Sequence, residues 1–319
     1  MTRLRCAILD DYFNLALSVA NWSEIADRVD VTVFNDPFAS EAAAASALKD
    51  FEIICAMRER TAFPRSLFAA LPKLKLLLTS GMRNAAIDME AAKDHGVVVC
   101  GTKYGQDPTA TLAMGLILEL TRGIGRENAR MHAGEPWQRF AGIEIEGLTL
   151  GVVGLGKLGS KVAGLAKAFG MKVIAWSPNL TPERCEEVGV GYAGKEELFT
   201  AADIVTIHMV LSQRSRGLVG AADLHRMKPT AYLVNTARGP IVDEAALLEA
   251  LEQNRIAGAA LDVYSLEPLP TDHPFRKLDN LVLTPHLGYA TKDGLRAHYG
   301  QMVQAIDAWF KGTAPQRLV

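Results

Sequence analysis

The chain has 319 residues, enough for two domains of ordinary size. With 49% hydrophobic and 22% charged residues it is globular and not disordered. A formal net charge of −2 leaves no basic excess, so neither nucleic acid nor an anionic membrane surface is expected as a partner.

Strand patterns are expected at 4–9, 31–34, 52–57, 74–79 and 97–100. Helix patterns intervene at 15–29, 40–49, 65–71 and 88–95. Strands alternating with helices imply a parallel α/β sheet, so the first hundred residues form one doubly wound domain without a glycine fingerprint. Residues 108–133 read as one long helix, apolar at Leu112, Leu116, Leu120 and Ile124, of a length suited to connecting domains. Gly134, Glu135, Pro136 and Trp137 end it, and a polar loop follows.

The chain is organised around the next stretch, LTLGVVGLGKLGSKVAGLAKAFGMKVIAWSPN at 148–179. A short apolar strand runs into Gly154, Gly156 and Gly159, spaced G-x-G-x-x-G. A helical pattern then closes at Gly170, and a second apolar strand ends at Trp176. The first glycine permits the tight turn, the second lets backbone approach a pyrophosphate, and the third lets helix and strand pack closely. Unpaired N–H groups and the positive dipole end of the helix then favour phosphate. Strand, helix and second strand are all present, as a dinucleotide-binding unit requires.

Further strands are expected at 204–208, 231–236, 259–263 and 281–284, with helices at 195–201, 221–227 and 243–254. One last amphipathic helix follows Gly288, carrying Leu295, Tyr299, Met302, Val303, Ile306, Trp309 and Phe310. The dinucleotide domain has no need of it, so it is expected to return to the first domain. The resulting architecture is α/β with two doubly wound, Rossmann-like parallel-sheet domains and an interdomain cleft. A discontinuous substrate domain covers 1–100 and 290–319, and the dinucleotide-binding domain covers 101–289.

The four cysteines, Cys6, Cys55, Cys100 and Cys185, are widely spaced with no C-x-x-C, so they read as reduced thiols, and no metal set is assigned. The opening apolar run is too short for a signal peptide, and no run reaches membrane-spanning length. A cytoplasmic enzyme is therefore the expectation.

Ligands of an open parallel sheet collect beyond the carboxyl ends of its strands. In the second domain those positions hold Arg238 in NTARGPIVDE, Glu267 in LDVYSLEPLP and His286 in LTPHLGY. Together they suit hydride transfer at a 2-hydroxy acid. A histidine with a pKa near 6.5 can take or give the hydroxyl proton. A carboxylate on its other nitrogen fixes the tautomer, and an arginine grips the substrate carboxylate and polarises the carbonyl. His208 is a rival base, though its earlier place in the fold suits the adenine side. Asp262 is open between contacting the cofactor ring and capping its strand.

The chain resembles the D-isomer-specific 2-hydroxyacid dehydrogenases, a family that includes phosphoglycerate dehydrogenase and glyoxylate/hydroxypyruvate reductases. The likeness spans nearly the whole chain and is carried by GLTLGVVGLGKLG, MKPTAYLVNTARGPIVDEAALLEAL, IAGAALDVYSLEP and LTPHLGY. It implies Arg238, Glu267 and His286 as the catalytic residues. Cofactor contacts are expected at Gly154, Gly156, Lys157, Leu158, Gly159, Ser177, His208, Thr236, Ala237, Asp262 and Gly288, and the resemblance adds Thr109. It also implies a discontinuous substrate domain and a homodimer built through the cofactor domain and the loop near Trp137. The regulatory C-terminal domain of some phosphoglycerate dehydrogenases is not expected, since the sequence ends at Val319.

Departures from the family pattern bear on the substrate. In SGMRNAAID, where Gly81 and Met82 are expected to hold the substrate carboxylate, Arg83 replaces a usually small residue. It is open between a second anion contact, a narrowing of the pocket and a solvent-facing side chain. Arg58 and Arg60 match positions that can face anionic substrates. Three arginines at first-domain strand ends hint at a second anionic group on the substrate. Thr111 stands where a glutamate is common. Ser177 stands where NAD enzymes carry Asp or Glu, and Arg184 is the one basic partner nearby for a 2′-phosphate, so the cofactor is written NAD(P).

The leading expectation is an NAD(P)-dependent interconversion of a D-2-hydroxy acid and its 2-keto acid. The alternative is a non-catalytic dinucleotide-binding redox sensor or corepressor-like protein, which need not keep the Arg–Glu–His set. An L-specific lactate- or malate-type enzyme is disfavoured, since those place the glycine motif near the N-terminus.

Overall fold

The computed structural model describes residues 3–313 and 316–319. The chain divides into two compact units, Met1–Gln106 with Ala290–Val319, and Asp107–Tyr289. The first boundary falls after residue 106, not after residue 100. Residues beyond the fifth strand still hold to the first unit: Thr102 N donates to Gly81 O at 3.3 Å, and Lys103 N donates to Gln301 Oε1 at 2.8 Å.

The first unit is built on a five-stranded sheet of β1 (Leu4–Ile8), β2 (Val29–Val33), β3 (Ile53–Ala56), β4 (Leu76–Thr79) and β5 (Val98–Gly101). The order is β2-β1-β3-β4-β5, with every pair parallel. β3 and β4 are buried at every residue, which explains sequences that are apolar up to Thr79 at the end of β4. Helices α1 (Ala16–Val19), α2 (Glu41–Leu48), α3 (Arg65–Ala70) and α4 (Met89–Asp94) connect them, and the last helix, Lys292–Phe310, belongs to the same unit. Beyond it, Leu318 N donates to Val99 O, and Val99 N and Gly101 N donate to Val319 O and Gln316 O. The tail thus covers the β5 edge.

The helix expected at 15–29 is shorter. α1 stops at Val19, and Trp22–Ile25 forms a separate 3₁₀ turn. Between them Ser23 Oγ donates to Asn21 Oδ1 at 2.6 Å, and Asn21 Nδ2 donates to Glu24 Oε1 at 3.0 Å. Such local side-chain bonds offer the chain an alternative to helix.

The second unit carries β6 (Thr149–Val153), β7 (Lys172–Trp176), β8 (Gly191–Tyr192), β9 (Ile204–Ile207), β10 (Tyr232–Asn235), β11 (Gly258–Leu261) and β12 (Leu281–Leu283). The order is β12-β11-β10-β9-β6-β7-β8, again parallel throughout. Its helices are α5 (Pro108–Arg122), α6 (Ile124–His132), α7 (Lys157–Ala168), α8 (Pro182–Val188), α9 (Lys195–Ala201), α10 (Ala221–Arg226) and α11 (Glu244–Glu252), so Lys292–Phe310 is α12. Successive strand residues feed opposite faces. Leu233 and Ala259 join one apolar cluster, and Val234 and Ala260 join the other.

The single helix expected over 108–133 is two. Gly123 takes a left-handed conformation (φ 59°) between α5 and α6, and a Cβ there would lie 2.6 Å from the Phe140 ring. Apolar periodicity runs through such a break, because only the one glycine changes direction. α8 and the two-residue β8 have no counterpart in the sequence reading. Thr181 caps α8 by accepting from Arg184 N, with proline and glutamate in the first turn. Among the described residues, no helix is long and apolar enough to cross a membrane.

Candidate active site

The second sheet reverses direction of growth between β6 and β9, the position at which doubly wound sheets collect ligands. The chain leaves β6 through Gly154, whose φ of 102° suits glycine. A Cβ on Gly154 would come within 2.9 Å of the His208 backbone, and one on Gly159 would lie 2.0 Å from Gly154 O. Those two glycines are required by close packing. Gly156 is different: a Cβ there would meet nothing within 4 Å, so the space above the α7 N-terminus is open. Ser160 N already donates to Gly156 O, which leaves the N–H groups of Lys157, Leu158 and Gly159 without helical partners. Lys157 Nζ lies 3.0 Å from Asp107 Oδ1. An open cradle of N–H groups fits a dinucleotide pyrophosphate.

Two polar atoms beside this loop are buried without a hydrogen-bond partner, Thr236 Oγ1 after β10 and His208 Nδ1 after β9. Both point to a ligand that completes them. Burial holds the His208 pKa down at about 4, and its Nε2 lies 3.0 Å from Thr206 Oγ1. A ring that stays neutral at pH 7 is a poor rival to His286. Ser177 is half-buried just past β7, with no acid beside it in sequence. Arg184 pairs with Glu187 at 2.9 Å and reaches Ser160 Oγ at 3.5 Å.

The ends of β10, β11 and β12 hold the proposed chemical groups. Asn235 shapes the first turn: its Oδ1 accepts from Ala237 N, and its Nδ2 donates to Arg238 O. Arg238 Nη1 donates to Ala237 O at 2.8 Å. Gly239 then packs against the loop after β11, where a Cβ would lie 2.0 Å from the carbonyl carbon of Tyr264. That approach joins the Arg238 turn to the Glu267 loop. Glu267 Oε1 accepts from Tyr264 N at 3.0 Å, and its Oε2 lies 2.6 Å from His286 Nδ1. His286 adopts a left-handed backbone (φ 55°), unusual for a residue with a side chain.

Asp262 stabilises that turn. Fully buried, it accepts from Thr284 Oγ1 and Leu287 N on one oxygen and from Gly288 N on the other. Burial raises its pKa, while these bonds and the nearby His286 oppose the rise. Thr109 Oγ1 donates to Gly288 O at 2.8 Å, and a Cβ on Gly288 would crowd Thr109 and Asp262.

In the first unit, Arg58 and Arg60 follow β3, and Gly81, Met82 and Arg83 follow β4. Arg58 N donates to Ser80 Oγ, and Asn84 Nδ2 donates to Arg58 O, so the two loops are bonded together. Gly81 (φ 96°) lies under the Arg58 guanidinium, whose Nη1 is 2.7 Å from where a Cβ would stand. Arg83 is exposed. Behind the loop, Gly81 N donates to Thr102 Oγ1, which lies 2.6 Å from His298 Nδ1 on α12. Burial, reinforced by the Arg58 charge, holds the His298 pKa down at about 4. Sequence reasoning missed Thr102 and His298, since neither lies in a motif. A buried histidine on a helix 196 residues from its partner leaves no local signal.

With this geometry in view, the likeness to known proteins is direct. The model of the D-isomer specific 2-hydroxyacid dehydrogenase, NAD binding domain, matches residues 114–288. The chain belongs to the D-isomer specific 2-hydroxyacid dehydrogenase family. It is 37% identical over 276 residues to the D-3-phosphoglycerate dehydrogenase of Methanocaldococcus jannaschii, covering 85% of this chain and 52% of that one. It is 37% identical over 265 residues to the glyoxylate reductase of Thermococcus litoralis, covering 80% of each. The crystal structure of the phosphoglycerate oxidoreductase of Vibrio cholerae superposes with a TM-score of 0.92 at 34% identity, covering 97% of this chain and all of that one. The chain spans about half the length of the curated phosphoglycerate dehydrogenases it matches.

Proposed function

We propose that the chain is an NAD(P)-dependent oxidoreductase that interconverts a D-2-hydroxy acid and its 2-keto acid. The observation that carries this reading is the 2.6 Å pairing of His286 Nδ1 with Glu267 Oε2, in the unit that holds the glycine loop. A nicotinamide held by these residues would supply or take up the hydride at C2 of the substrate. The chain supplies the proton. An ionised Glu267 has only acceptors, so Nδ1 carries the shared hydrogen and Nε2 is the nitrogen assigned to proton exchange with the substrate. In oxidation Nε2 takes the hydroxyl proton, and in reduction it returns the proton to the carbonyl oxygen. Arg238 binds the substrate carboxylate and polarises the carbonyl.

Gly154, Gly156, Lys157, Leu158 and Gly159 hold the dinucleotide phosphates, and Thr109, Ser177, His208, Thr236, Ala237 and Gly288 complete its site. Asp262 acts through the Leu287–Gly288 turn, since both its oxygens are occupied there. Ser177 does not repel a 2′-phosphate, so both NADH and NADPH are admitted. On the first unit, substrate binding is assigned to Arg58, Arg60, Gly81, Met82 and Arg83. A cytoplasmic setting fits four buried cysteines that form no disulfide, Cys6 and Cys55 lying in thiol contact at 3.9 Å.

The partner is a second copy of the chain. Supporting this, Trp137 is 74% exposed, with Met131 and Ile124 also exposed. A groove of about 320 Å³ there is lined by Glu127, Arg130, Met131, Glu135, Trp137 and Gln138. Sedimentation of the wild type and of Trp137→Ser tests this, a wild-type monomer refuting it.

The reaction is tested by oxidation of NADH and of NADPH against glyoxylate, hydroxypyruvate and longer 2-keto acids, with His286→Ala as control. Turnover abolished in the control supports the reading. Full turnover in the control, or cofactor binding without turnover on any acid, refutes it.

A further inference from the structure

The strand order of the first unit, β2-β1-β3-β4-β5, reverses between β1 and β3. In an open parallel sheet a ligand crevice lies beyond the carboxyl ends of the strands at such a reversal. The chain leaves β1 through Asp10, Asp11 and Tyr12 and leaves β3 through Arg58, Glu59, Arg60 and Thr61. Asp10 (φ 58°) and Arg58 (φ 54°) both adopt left-handed backbone at these exits. The exits are joined, since Tyr12 O–H and Thr61 O–H both donate to the Asp10 carboxylate, at 3.1 and 2.8 Å.

The arginines alone suggest a crevice built for a second anion on the substrate. The structure brings acids to the same strand ends. Arg58 Nε lies 3.8 Å from Glu59 Oε2. Burial raises the Asp10 pKa, and the Thr61 and Tyr12 hydroxyls and the charge of Arg60 oppose the rise. His298, beside Arg58, is neutral and adds no positive charge. Asp11 is occupied in capping α1, accepting from Leu15 N and Ala16 N. Positive charge at this reversal is therefore matched within the fold.

We propose that the crevice between the ends of β1 and β3 selects a singly charged 2-keto acid whose remaining group is neutral and hydrogen-bonding, with Glu59 and Asp10 as the residues that discriminate against a second anionic group. The proposal rests on the 2-keto acid reading above and narrows it. A phosphoryl or second carboxylate group placed here meets arginines whose charge is already matched by Glu59 and Asp10, so little attraction offsets the cost of taking a second anion out of water. A hydroxyl group brings no charge and can donate to the Glu59 carboxylate or to the hydroxyl oxygens of Tyr12 and Thr61, whose own hydrogens go to Asp10.

The test compares hydroxypyruvate with 3-phosphohydroxypyruvate, a pair differing only in the phosphoryl group, in the full chain and in the Glu59→Gln and Asp10→Asn variants. The readout is the ratio of kcat/KM for the two acids, which a general loss of stability does not move. The wild type is expected to favour hydroxypyruvate by about tenfold or more, and Glu59→Gln to move the ratio about tenfold toward the phosphorylated acid. Asp10→Asn is expected to move it the same way. If Asp10→Asn does not fold, Glu59→Gln decides alone, because Glu59 accepts neither of the two hydroxyl bonds that join the strand ends. A wild type that prefers the phosphorylated acid, or a ratio unmoved by Glu59→Gln, overturns the proposal and leaves the reaction reading intact. No turnover on either acid or on any other 2-keto acid overturns both.

Discussion

At the scale of single residues, the carboxylate on Nδ1 decides what His286 can do. Glu267 accepts at Nδ1 and so holds the ring in one tautomer, with Nε2 as the nitrogen that exchanges the proton. Glu267→Gln keeps the shape, but an amide can donate as well as accept, so the tautomer is no longer fixed. Reduction is expected to lose about 10²-fold or more in kcat. Steady-state reduction rates of the variant beside the wild type check this, and an unchanged kcat would show that Glu267 does not act on the ring. His298 makes a separate prediction about stability. Its folded pKa of about 4 lies below its unfolded value near 6.5, so the unfolded chain binds the extra proton as pH falls. Stability is therefore full above pH 6.5 and drains between pH 6.5 and 4, by about 3 kcal/mol for this one group. Urea unfolding at pH 7 and pH 5 should show the loss, and His298→Gln should flatten it. The places of Arg238, Glu267 and His286 after β10, β11 and β12 were legible because each sits in a short strand-end motif. Thr102 and His298 were not, because their pairing is made by the fold across most of the chain.

At the scale of elements, the approach of two loops positions the chemistry. Gly239 touches the backbone of Tyr264 so closely that any side chain must push the Arg238 turn away from the Glu267 loop. Gly239→Ala is expected to lower kcat by about tenfold or more and to weaken cofactor affinity less, since the glycine loop lies on another strand and only Thr236 and Ala237 adjoin the displaced turn. Fluorescence titration with NADH beside turnover separates the two, and equal losses in both would place the damage in the whole unit. Strands and their parallel pairing were legible because buried parallel strands read as apolar runs. The break at Gly123 was hidden inside a continuous apolar stripe, and β8 was too short to leave a pattern. The order of the strands, which locates both reversals, is fixed by long-range pairing and is absent from local sequence.

At the scale of the whole molecule, sheet edges are exposed liabilities, because unpaired N–H and C=O groups invite another strand. In the first unit, β5 would be such an edge, and residues 316–319 cover it with three backbone bonds, to Val99 N, Val99 O and Gly101 N. Each bond is worth about 1 kcal/mol net, so deleting these four residues should cost about 2–3 kcal/mol. The cost should fall on the first unit alone, which holds Trp22 and Trp309, while Trp176 reports on the second. Replacing Trp176 and Trp137 by phenylalanine leaves a fluorescence signal from the first unit only. Its urea midpoint should drop in the truncated chain, and light scattering should rise at high protein concentration as the bare edge pairs between molecules. An unchanged midpoint with unchanged scattering would mean that β5 is stable as a free edge, and that the tail contributes packing without protecting the sheet.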